Sequence, residues 1–120
     1  MFTASETGDF GRGLVEAAAC DVGVLILHEY PDGEQCPRFA TSVDGRDVIF
    51  VWALDRPDCR MLSLYLVARV ARELGARSIG FIIPYLPYIR RDVHAHAGEG
   101  ETSRHVAQLL SGCCNWIITV

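Results

Sequence analysis

The stretch "VIFVWALDRPDCRMLSLYLVARVARELGARSIGFIIP", Val48 to Pro84, changes its hydrophobic period twice, and those changes decide the fold. Val48 to Leu54 is a run of β-branched and aromatic residues, which predicts a strand. From Pro57 to Leu74 the apolar positions Leu64, Val67, Val70, Ala71 and Leu74 recur at helical spacing, while Arg60, Arg69, Arg72 and Glu73 fall mainly on the other face. Gly75 supplies a helix stop. Ser78 to Pro84 then returns to a continuous apolar run and predicts a second strand. Strand, helix and strand in succession imply parallel strands joined by a crossover helix.

Working outward, the same alternation continues. Gly13 to Cys20 reads as a short helix, and Val22 to His28, "VGVLILH", as a strand covered on both faces. "YPDGE" makes a turn, because Pro31 restricts φ, Asp32 can bond its own backbone and Gly33 permits positive φ. Gln35 to Thr41 is a more polar strand, and "VDGRD" is another turn. Beyond Pro84 come a polar loop, a helix from about Ser103 to Ser111 with Val106, Leu109 and Leu110 inward and Gly112 closing it, and a final strand from Trp116 to Val120. The expected fold class is α/β: a mostly parallel, Rossmann-like sheet flanked by helices in a single domain, without internal repeat or linker. In such sheets ligands bind beyond the carboxyl ends of the strands.

Composition narrows the function. The 120 residues are 50% hydrophobic, with a formal net charge of −4 and a pI near 5.5. A general nucleic-acid binder needs a basic face to displace counterions, so nucleic acid is not an expected partner. All 11 basic residues are arginine, which excludes Schiff-base chemistry and a P-loop lysine. The five cysteines, Cys20, Cys36, Cys59, Cys113 and Cys114, show no CxxC spacing and follow no secretory segment. They read as reduced, mostly buried thiols, with the adjacent Cys113 and Cys114 as packing residues. No apolar run approaches the ~20 residues of a membrane span, so the expectation is a cytoplasmic protein with no membrane partner.

Two segments carry candidate chemistry. In "IIPYLPYIRRD", Ile82 to Asp92, Arg90 and Arg91 present paired guanidiniums suited to an oligophosphate, and Asp92 can orient an arginine or hold a metal-bound water. The same residues also make an ordinary solvated turn. Pro84 and Pro87 stiffen the approach, and Tyr85 and Tyr88 supply rigid packing, which favours a preorganised site. In the turn, Tyr30 can stack on a purine base while Asp32 and Glu34 accept hydrogen bonds from an amino group, although Pro-Asp-Gly is also common turn chemistry. His94 and His96, with His105, are candidate metal ligands or members of a polar loop, and the loop is the better reading. His28, at a strand end, is either structural or close to a nucleotide.

In this order and spacing, the two segments resemble the amino-terminal domain of ribose-phosphate pyrophosphokinases, the phosphoribosyl pyrophosphate synthetases. That family's aromatic-x-Asp-Gly-Glu turn is similar to Tyr30, Asp32, Gly33 and Glu34. Its V-x-G-x-D-V segment is similar to Val43, Gly45, Asp47 and Val48. Its I-P-Y-x-x-Y-x-R-Q-D segment is similar to Ile83, Pro84, Tyr85, Tyr88, Arg90 and Asp92, with Arg91 in place of the glutamine. Glu101-Thr102-Ser103-Arg104 is a looser match to the family's next helix entry, and the likeness covers about residues 8 to 120.

The resemblance implies a phosphoribosyltransferase-like fold and a transferase that moves the diphosphoryl group of ATP to ribose 5-phosphate, with Mg2+. Tyr30, Asp32 and Glu34 would then contact the adenine of ATP bound mainly to a neighbouring subunit of a homo-oligomer, and Arg90 and Arg91 its phosphates, with Gly33 and Asp92 completing the ATP-binding set. The family's metal-binding histidine follows the strand that ends here at Val120, and its carboxy-terminal catalytic domain is expected to be absent from this chain. Residues 1–120 would be the ATP-binding and oligomerising half of the diphosphokinase, inactive alone. The alternative is a non-catalytic regulatory or scaffold subunit of the same fold. A receiver-type signalling domain fits poorly, because the acidic cluster and lysine it needs are missing.

Overall fold

A computed structural model describes residues 1–4, 7–89 and 96–119. Its central sheet is made of β1 (Phe2–Thr3), β4 (Asp47–Val51), β5 (Ser78–Ile83) and β6 (Trp116–Thr119), in the order β1-β4-β5-β6 and parallel throughout. Three helices, α1 (Gly8–Ala18), α2 (Pro57–Glu73) and α3 (Thr102–Ser111), accompany it. A separate antiparallel pair, β2 (Leu25–Glu29) and β3 (Gln35–Phe39), forms a hairpin outside the sheet. The α/β class expected from the alternation is the class observed.

The central strands are apolar because both their faces are covered. Phe50, Val51, Ile79, Phe81 and Ile83 are fully buried, and Leu64, Val67, Ala68 and Ala71 of α2 join Phe50, Ile79, Phe81 and Ile83 in one core. Each fully buried large apolar side chain stabilises the fold by about 1.5–3 kcal/mol. Close packing also sets residue size within β5. A Cβ on Gly80 would collide with the Trp116 ring of the neighbouring strand, so glycine is what lets the indole lie against β5 there.

Several expectations need correction. The run Val22 to His28 is not a strand covered on both faces: pairing starts at Leu25, and Val22, Val24 and Ile26 are 55%, 56% and 39% exposed. The hairpin stands off the sheet, so the domain covers only the face bearing Leu25 and Leu27. The first helix begins at Gly8 rather than Gly13, and the edge strand at Phe2–Thr3 has no sequence signal, since two residues carry no periodicity. β4 stops at Val51 rather than Leu54, although Leu54 is fully buried. Leu74, past the end of α2, and Leu109 on α3 are half exposed instead of inward. The thiols are not mostly buried either: Cys36, on the outer face of the hairpin, and Cys59, in the first turn of α2, are exposed, while Cys113 is buried. Burial and the neighbouring Cys114 push the Cys113 thiol up to about 11, as fits a packing role.

Asp47 closes the amino-terminal end of the sheet. It accepts from Arg77 Nε at 2.8 Å and from Arg77 Nη2 in a forked pair, and from Ser78 Oγ at 2.6 Å. These bonds lower its carboxyl from 3.8 to about 2. A depressed acid contributes stability above its unfolded value, and that contribution is lost as pH falls from about 4 through about 2. Asp47→Asn is expected to flatten this part of the acid limb when melting temperature is followed against pH. Parallel limbs in the variant and the parent would show that the pair does not contribute.

Candidate functional site

The turn from Tyr30 to Glu34 caps the hairpin. Tyr30 N–H donates to the Glu34 carbonyl at 2.8 Å and Gly33 N–H to the Tyr30 carbonyl at 2.9 Å, closing a tight loop. Asp32 Oδ1 accepts from Glu34 N–H at 3.1 Å, and Gly33 adopts φ 90°, a conformation open to glycine and strained for other residues. Asp32 thus performs the turn chemistry read from Pro-Asp-Gly, and its side chain is exposed at the same time. Tyr30 is 47% exposed and stands edge-on to His28, ring centroids 4.5 Å apart at 85°. His28 therefore supports the tyrosine ring, which the sequence alone left undecided. An aromatic ring and two carboxylates at an exposed tip form an acceptor-rich surface suited to a flat, amino-bearing ligand.

The second segment leaves the carboxyl end of β5. Pro84 and Leu86 are partly buried and Pro87 buried, while Tyr85 is 51% exposed and so does not supply the packing expected of it. Tyr88 does pack against the core, with a φ of 64° that is uncommon for a non-glycine residue, and its hydroxyl bonds Asp58 Oδ1 at 3.3 Å in the first turn of α2. The chain is thereby fixed two residues ahead of the arginine pair. Arg90, Arg91 and Asp92, and also His94, lie outside the described residues. His96 bonds Glu99 twice, through its backbone N–H at 3.1 Å and its ring Nδ1 at 3.0 Å. Among the described residues no group of three His, Cys, Asp or Glu side chains could hold a metal ion.

Both segments are tied to α2. Tyr88 reaches Asp58, and Gln35, directly after the turn, meets the buried Ser63. Between the hairpin and α2 a cleft of about 750 Å³ opens at the carboxyl ends of β1 and β4, with Trp52, Arg56 and Arg60 in its wall. Arg60 is held by Asp55. Gln35 and Ser63 escape a sequence reading, because nothing in a lone glutamine and a mid-helix serine 28 residues apart signals that they touch.

A parallel sheet with covering helices, and loops gathered beyond its strand ends, defines an α/β domain of the phosphoribosyltransferase-like class. The crystal structure of phosphoribosylpyrophosphate synthetase from Mycobacterium smegmatis shares this fold, with a TM-score of 0.89 over 98% of the chain, 40% of that protein and 21% sequence identity. Residues 1–113 match the family described as the N-terminal domain of ribose phosphate pyrophosphokinase, and the chain belongs to that family. The ribose-phosphate pyrophosphokinase of Methanopyrus kandleri is 31% identical across the whole chain, which covers 41% of that protein. Ribose-phosphate pyrophosphokinase 1 of Archaeoglobus fulgidus is 40% identical over 78% of the chain and 34% of its own length. The chain thus spans about two fifths or less of the length of these relatives. Among the described residues no helix is long and apolar enough to cross a membrane.

Proposed function

We propose that the chain is the ATP-binding and oligomerising amino-terminal domain of a cytoplasmic ribose-phosphate diphosphokinase, which converts ATP and ribose 5-phosphate to phosphoribosyl pyrophosphate and AMP. The family match across residues 1–113 carries this reading. Tyr30, Asp32 and Glu34 form the adenine contact on the turn that Gly33 permits, and Arg90 and Arg91 the phosphate contact, with Asp92 beside them orienting an arginine or holding a metal-bound water. Arg91 keeps the hydrogen-bond donors of the family's glutamine and adds a charge, which favours polyphosphate.

The exposed apolar side chains Val22 and Val24, just ahead of the hairpin, and Ile26 on its outer face support a homo-oligomer in which the turn of one copy serves the nucleotide of its neighbour. Among the described residues no group of three His, Cys, Asp or Glu side chains could hold a metal ion, so the Mg2+ that the reaction uses would be held elsewhere in the enzyme. By this reading the ribose 5-phosphate site and the catalytic groups lie in other parts of the enzyme. Without them the chain is catalytically silent: phosphoryl transfer depends on positioning and charge neutralisation that a nucleotide contact alone does not supply.

Calorimetric titration of ATP into the chain, at concentrations where copies associate, tests the reading. The Arg90→Ala, Arg91→Ala double variant is expected to lose about tenfold to a hundredfold in affinity, as befits charge-assisted hydrogen bonds. Equal affinity in parent and variant would overturn the phosphate assignment, and phosphoribosyl pyrophosphate formation above background by the chain alone would overturn its catalytic silence.

A further inference from the structure

The turn that bears the adenine contact rides on two strands outside the main sheet, and an isolated two-stranded hairpin is barely stable in water. Its inward face is apolar at the base, where Phe39 packs edge-on to Phe2 with centroids 5.1 Å apart. At the turn end the inward face becomes polar, because the last ladder pair before the turn is Glu29 with Gln35. Beneath that pair lies the open cleft rather than core.

The amide of Gln35 spans this gap. Its Nε2 donates to Glu29 Oε2 at 3.3 Å, and its Oε1 accepts from the hydroxyl of Ser63, a side chain on α2 that is 4% exposed. A carboxylate only accepts, so the amide nitrogen must face Glu29 and the oxygen must face Ser63. The single hydroxyl proton of Ser63 then goes to Gln35, although the Cys59 carbonyl, 2.9 Å away, also lies within its reach. Ser63, Gln35 and Glu29 form a one-way relay from helix to hairpin, ending on a charge that strengthens its last bond.

We infer that Gln35, backed by Ser63, is a positioning residue for nucleotide binding: it latches the turn end of the hairpin to α2 and so sets the orientation of Tyr30, Asp32 and Glu34 without touching the ligand. The inference rests on the ATP reading above. Its loss leaves the apolar base packed and frees the tip to swing.

A charge swap tests the latch. Gln35→Glu sets two carboxylates against each other at the end of the hairpin and breaks the relay. Adding Glu29→Gln restores it in mirror image: the amide introduced at position 29 donates to the carboxylate introduced at position 35, which still accepts from Ser63. ATP affinity by calorimetry is expected to fall about tenfold in Gln35→Glu and to return to within about twofold of the parent in the double variant, while both melt within a few degrees of it. Amide exchange at Gly33 and Glu34 should quicken in the single variant and slow again in the double. A parent that binds ATP beside a Gln35→Glu variant that binds it equally well overturns the latch alone. Affinity that stays lost in the double variant also overturns it, since the relay would then not be what matters. A parent that does not bind ATP overturns the nucleotide reading and the positioning role with it.

Discussion

Phe50→Ala is expected to lower the unfolding free energy by about 3–5 kcal/mol, the cost of deleting a fully packed aromatic side chain and leaving a cavity. Phe50 is fully buried, and its ring neighbours three others: Phe2 at 5.7 Å, Phe39 at 6.1 Å and Phe81 at 6.4 Å. It therefore joins β1, β3 and β5 to β4, and ties the hairpin to the sheet. Domains of this size are stable by only about 5–15 kcal/mol, so one such loss takes a large share. Urea denaturation measures it directly. Because Phe39 anchors the base of the hairpin, amide exchange in β2 and β3 is also expected to quicken more than in α3. A loss below about 1 kcal/mol would mean that the four rings do not act as the joint between hairpin and sheet.

Gly33→Val is expected to act in the opposite way, with little effect on the fold and a large one on the ligand. A Cβ at Gly33 would meet nothing within 4 Å, so packing is not at stake, but φ 90° is strained for a β-branched residue. Strain of about 1–3 kcal/mol is relieved by rearranging the turn, which displaces Asp32 and Glu34 and is expected to cost about tenfold to a hundredfold in ATP affinity. Gly45→Val is the control. It places a side chain at φ 66° with the same open surroundings, away from the hairpin tip, and should leave ATP affinity unchanged. If both variants bind ATP as the parent does, the turn does not form the adenine contact.

The two variants divide along a line that also separates what can be read from sequence. Strand, helix and strand from Val48 to Pro84 are legible because burial imposes a period on the residues that line it, and α2 ends within one residue of its predicted close. The turn is equally legible, since Pro31, Asp32 and Gly33 act through their own backbone. Position 33 adopts positive φ and Asp32 bonds two residues on, as local chemistry dictates.

"VGVLILH" defeats a sequence reading for a physical reason. A continuous apolar run says that both faces are to be covered, but not by what. Within this domain Leu25 and Leu27 find the core, while Val22, Val24 and Ile26 are left for a surface the described residues do not provide. Leu74 and Leu109 fail similarly, because helical period marks a face and not how far the neighbouring sheet extends beneath it.

The sequence by itself determined the α/β class, the parallel strand pair, the shape of the turn and the family resemblance, all of which depend on residue order over short spans. Only the tertiary structure decided that the hairpin leaves the sheet, that His28 backs Tyr30, that Tyr88 is tied to Asp58 and that Gln35 meets Ser63. Most of those are contacts between residues whose meeting is set by the path of the whole domain. No local propensity encodes them, because they depend on where the hairpin and α2 come to rest against everything else.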